Sequence, residues 1–237
     1  MATEPGLHAH STQAEEQGAA LALLPIAATL DYYALPNALQ TQPLVQFAPQ
    51  ILAYLALALW ASLNRSPKVR LGLALDGLRQ GLCWGLPTGL VLGLLNSFII
   101  LRVVPGLGFD ISFLKSTPHA QLPLWVMVPW FIVAIAWFVE VNFRGFLLGR
   151  LVTIESHLWR QESIRGLSPL AVLVSAMTFA FDPFMVNTFQ HLHWIAVWDG
   201  LVWGAMWVRT RNLFITIIAH AVEVIVMYCA VRAALLP

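Results

Sequence analysis

Charge is what this chain has least of. Asp, Glu, Lys and Arg make up 11% of its 237 residues, against about a quarter in ordinary globular chains. With 59% of the residues hydrophobic, that scarcity argues against a soluble fold. No sign of charge dominates either: 13 Lys and Arg face 12 Asp and Glu, for a net charge of +1. A nucleic-acid surface and an acidic, solvating tail are therefore not expected. Cysteine is limited to Cys83 and Cys229, which excludes a disulfide framework and any CxxC metal site, and both are read as core thiols. Internal repeats, low-complexity linkers and a soluble domain are missing as well. Residues 1–17 lack the positive region that opens a secretory signal and are read as a disordered polar tail.

What the chain does have is apolar length. About twenty residues at a rise of about 1.5 Å span a hydrocarbon core of about 30 Å. Residues 44–63, 80–101 and 120–139 are blocks of that size without an ionisable side chain. Residues 166–190, 194–208 and 212–231 are apolar but carry Asp182, Asp199, and His220 with Glu223, while 18–39 is interrupted by Pro25, Asp31 and Pro36. The expectation is an all-α, polytopic membrane bundle of about seven transmembrane helices, with residues 18–237 as a single domain. Ten Lys and Arg, from Arg65 to Arg211, fall on one side of such a bundle; Arg102, Lys115 and Arg232 fall on the other. That asymmetry places the N-terminus in the cytoplasm of a cytoplasmic membrane.

Ionisable residues at membrane depth cost at least about 2.5 to 3.5 kcal/mol, so each needs a reason. Glu140 and Arg144 stand four apart and share a helical face, where they can pair and aim into the bundle. Such a pair can pin two helices, or it can present a carboxylate that takes a proton from water. His220 and Glu223, three apart, can place an imidazole whose tautomer is set by a carboxylate, or simply satisfy helix packing. Asp182 and Pro183 break a span, which is tolerated only against protein or a watery cavity, and His191 and His193 follow. His191 and His193, with Asp182, Glu140 or His220, could supply metal ligands, but H-x-H is a weak zinc pattern and HExxH is missing, so the expectation is no cofactor, with a metal as the minor alternative. Trp125, Trp194, Trp198, Trp203 and Trp207 are read as interfacial belt and packing.

Three separated stretches resemble the CPBP, or Abi, family of CAAX prenyl protease type II and bacteriocin-processing membrane proteins, over about residues 70–235. VEVNFRGFLLGRL resembles the family's Glu-Glu-x-x-x-Arg-Gly block, VRTRNLFITIIAHAVE its closing R-T-G-S-L and H-A-x-x-N span, and RLGLALDGLRQGLCWGLPTGLVLGLL the lead into its early span. The Phe-x-x-x-His block fits Phe189 and His193; the alternative register from Phe179 ends on Pro183. Val139 stands where the first Glu of the pair is expected and Val224 where the Asn is. The resemblance implies a glutamate-type intramembrane endopeptidase acting on membrane-associated peptides, with the bilayer as its other partner. In it Glu140 activates water, Arg144 positions that water, His193 is a second base and His220 supports the oxyanion; Asp182, His191 and Glu223 are supporting candidates. Two rival readings stay open: a catalytically silent relative serving as a membrane scaffold or regulator, and a small transporter.

Overall fold

The computed structural model describes residues 16–159 and 168–235, and every element among them is helical. Arg160 and Arg165 of the positive side fall outside the described residues, as do residues 1–15 of the polar tail. Nine of the α-helices among the described residues, with shorter ones between them, frame the site: α1 (Leu23–Ala34), α2 (Pro43–Leu63), α3 (Leu78–Phe98), α4 (Leu124–Trp130), α5 (Gly149–Trp159), α6 (Pro169–Ala180), α7 (Pro183–Phe189), α8 (Ile195–Thr210) and α9 (Leu213–Leu235). Between α4 and α5 the chain stays helical but widens into π turns over Phe131–Val139 and Val141–Leu148, with Glu140 at the joint. Wide i→i+5 turns are rare and gather at functional sites.

Among the described residues four helical stretches are long and apolar enough to cross a membrane: Pro43–Leu63, Pro67–Gly106, Leu124–Trp159 and Leu213–Leu235. A fifth exists if Pro169–Ala180 and Pro183–Leu192, bent by 53°, count as one broken span. The expected seven is thus four or five by length and composition. Block 18–39 supplies only the short helix Ala19–Ala34, and block 194–208 the 16-residue α8. The bend sits where Pro183 starts a new helix, since proline lacks the N–H needed to continue the old one.

α3 and α9 pack along each other, and glycine makes it feasible. Gly81, Gly85, Gly89 and Gly93 recur every four residues and turn toward Phe214, Ile215 with Ile218, Ala219 with Val222, and Glu223 with Val226. A Cβ at Gly85 would lie 2.8 Å from the Ile215 carbonyl oxygen. The backbones approach only because no side chain intervenes, the usual device where lipid supplies no hydrophobic drive between helices. Large apolar side chains such as Leu90, Val91 and Leu94 point outward instead, as a lipid-facing surface requires. Cys83 and Cys229 are exposed on that surface as free thiols, which corrects their reading as core residues.

The first described residue is held by several contacts. Glu16 is docked: it pairs with Arg150 and, at 3.9 Å, with Arg70, and it accepts bonds from the Trp60 indole (2.8 Å) and the Thr153 hydroxyl (3.0 Å). The Arg150 guanidinium lies 4.0 Å over the Trp60 ring. A carboxylate among two arginines and an indole donor has ample reason to be ordered.

Candidate functional site

Glu140, at the joint between the two π segments, is fully buried. Its Oε1 accepts from Arg144 Nη1 at 3.1 Å and lies 2.8 Å from His220 Nδ1 on α9. The helical spacing puts Arg144 beside the carboxylate, and the close packing of α9 carries His220 to it from 80 residues away. Arg144 lies 4.5 Å from the Phe179 ring and 4.9 Å from the Trp203 ring, and passes Gly200, where a Cβ would press to 2.9 Å on Ala176 and only touch the guanidinium. Trp203 stacks on His220 at 4.5 Å and 27°. Two aromatic faces thus fix the orientations of the guanidinium and the imidazole. Glu140 Oε2 and Arg144 Nη2 have no hydrogen-bond partner.

His220 separates this pair from a cavity of about 560 Å³. Its ring lines the cavity, whereas Glu140 and Arg144 do not. With Nδ1 committed to Glu140, Nε2 is the ring nitrogen left for whatever the cavity holds. Val139 and Val224, where the resemblance expects a Glu and an Asn, both line this cavity, as do Asp182, Asp199 and Glu223. The wall is otherwise mainly apolar and aromatic, with Phe143, Phe179, Phe131 and Tyr228 among its members.

The remaining candidates divide. Asp182 caps α7, accepting from the Phe184 amide at 3.0 Å and from Gln50 Nε2 at 2.8 Å, so it holds the bend and faces the cavity at once. Glu223 accepts from Asn96 Nδ2 at 2.7 Å. His193 is not brought to Glu140: its Nδ1 faces the Gln190 carbonyl and its ring meets Phe181 edge-on at 5.1 Å. The short helix α7 and the positive φ of 48° at Gln190 turn this stretch away. His191 packs between Phe109 (5.3 Å) and Phe113 (5.4 Å). Beside it, in the loop, the Ser112 hydroxyl and then its amide hold the Asp110 carboxyl below the usual carboxylate range. Asp31 is exposed on α1 and away from the cavity. Among the described residues no group of three or more His, Cys, Asp and Glu is arranged around a metal position.

Sequence reasoning missed Asn96 and the place of Trp203 at the site. Asn96 is fully buried in α3, bonding Glu223 and both oxygens of Asp199. An amide inside the uncharged block 80–101 was its only signal. Trp203 and Trp207, read among the belt and packing tryptophans, are buried as packing residues are, and Trp203 is also a wall of the site.

A family model described as type II CAAX prenyl endopeptidase, Rce1-like, matches residues 121–226, a segment that holds Glu140, Arg144, Asp199, His220 and Glu223. No curated protein and no solved structure matches the chain.

Proposed function

We propose, from the match of residues 121–226 to the Rce1-like type II CAAX prenyl endopeptidase model, that the protein is an intramembrane peptidase whose water-activating unit is the Glu140–His220 pair. The observation that carries this is the 2.8 Å contact between Glu140 Oε1 and His220 Nδ1, with the same imidazole lining the cavity. A carboxylate that holds Nδ1–H leaves Nε2 free to take a proton from a cavity water as that water attacks a peptide carbonyl. Arg144 acts through Glu140: its 3.1 Å bond holds the carboxylate pointed at the imidazole, so it is a positioning residue. Glu140 then orients the base, a different division of labour from a glutamate that touches the water itself. The apolar cavity wall and the outward lipid-facing surface suit a membrane-associated peptide, either a prenylated CaaX tail or an anchored leader. The positive side of the bundle is proposed to face the cytoplasm.

The scaffold reading has one observation in its favour: Glu140 is fully buried and ion-paired, as a helix pin would be. The transporter reading rests on Asp182, Asp199 and Glu223 along one cavity. Purified protein in phospholipid vesicles separates the three. Incubation with a prenylated CaaX peptide, and in parallel with membrane-anchored leader peptides, should yield new termini by mass spectrometry, and His220→Ala should remove them. Intact peptides with wild-type protein would sink the peptidase reading; proton or solute flux through the same vesicles would favour the transporter.

A further inference from the structure

A second group of acids faces the same cavity, and nothing in the mechanism above uses it. Asp199 on α8 and Glu223 on α9 are 4% and 2% exposed and both line the cavity. One nitrogen, Asn96 Nδ2, reaches Asp199 Oδ1 at 3.2 Å, Asp199 Oδ2 at 3.1 Å and Glu223 Oε1 at 2.7 Å. The amide's orientation is fixed from behind: Trp198 Nε1 lies 3.0 Å from Asn96 Oδ1. An indole N–H can only donate, so the atom it faces must be the amide oxygen, and the NH2 must face the two carboxyl groups. Glu223 Oε2 has no hydrogen-bond partner and is sealed from solvent.

The charges do not balance if every acid is ionised. Glu140, Asp199 and Glu223 would bring three negative charges, against the single guanidinium of Arg144, which is bonded to Glu140. Among the described residues no Lys, Arg or His forms an ion pair with Asp199 or Glu223. Arg144 acts on both acids only from beyond ion-pair distance, and Lys115 and Arg232, which line the same cavity, pair with neither; two adjacent carboxyl groups joined through one amide nitrogen, with no ion-paired cation, are the arrangement in which one proton is shared between them.

Resting on the peptidase reading, we propose that Asp199 and Glu223 together hold one proton at the cavity wall and deliver it to the departing amine, with Asn96 positioning the two. The step balances as follows. Water oxygen forms a bond to the peptide carbonyl carbon, and its proton passes to His220 Nε2. The C–N bond then breaks, its electron pair stays on nitrogen, and that nitrogen takes the proton of the Asp199–Glu223 pair. The proton collected by His220 restores the pair, leaving a carboxylic acid and an amine.

Difference infrared spectroscopy on the full-length protein in vesicles tests the shared proton without any substrate. The carbonyl stretch of a protonated carboxyl should be lost or moved in both Asp199→Asn and Glu223→Gln, and shifted in Asn96→Leu. A band absent from wild type, or unaltered in both acid variants, overturns the proposal. For cleavage of the prenylated peptide, each acid variant should lose about 100-fold or more in kcat with little change in KM, the size expected of a general acid. Wild-type kcat in both variants overturns the acid role even if the band is present. Failure of the peptidase reading looks different: wild type that cuts nothing yet shows the band supports the shared proton and removes its use in peptide cleavage. Thermal unfolding of each variant checks that it is folded.

Discussion

Arg144 shows how much a single side chain carries. Its one anionic hydrogen-bond partner is Glu140, and its planar group lies against Phe179 and Trp203. Arg144→Ala leaves a buried carboxylate without its cation, a loss worth about 3–5 kcal/mol. Arg144→Lys keeps the charge but loses the planar stacking, so it should cost less; thermal unfolding in detergent ranks the two, and an Ala variant as stable as the Lys one would contradict the ion pair's importance. Spacing alone makes Glu140 and Arg144 legible, because i,i+4 puts them on one face. His220 is legible as an imidazole at membrane depth. Asn96 is not, since an uncharged amide barely alters the hydropathy of its block, and its value comes only from the two acids that other helices bring to it.

At the scale of elements, the α3–α9 contact decides whether the site exists, because it sets Asn96 against Glu223 and holds His220 at the height of Glu140. Gly89→Ala should destabilise by about 1–3 kcal/mol, the cost of forcing a methyl into a packed contact. Gly106→Ala is the control: nothing lies within 4 Å of its Cβ position, so it should be neutral or slightly stabilising through the unfolded state. Equal melting temperatures for the two would count against the close approach. The four-residue glycine spacing is plain in the sequence, yet averaging hydropathy over a block conceals it. Motif order along the chain likewise does not register the turn at Gln190, beyond which the His193 ring meets Phe181 and the Gln190 carbonyl and not Glu140.

For the molecule as a whole, hydropathy counts apolar length and is blind to bends, which is why seven expected spans become four or five. Pro183 splits one block at 53°, and α8, with Asp199 and Arg209, is short. The all-helical membrane class was legible because low charge and long apolar blocks leave no other home for such a chain. If the outward face meets lipid, Cys83 and Cys229 should react in vesicles with a lipid-soluble maleimide and resist a membrane-impermeant one; rapid labelling of both by the impermeant reagent would mean that face is wet. The most direct test of the central claim is the turnover of a membrane-tethered peptide by Glu140→Gln beside wild type in the same vesicles, with thermal unfolding to verify the fold. A general-base unit predicts a loss of about 100-fold to 10,000-fold in kcat. A folded Glu140→Gln protein that cuts at the wild-type rate would contradict it.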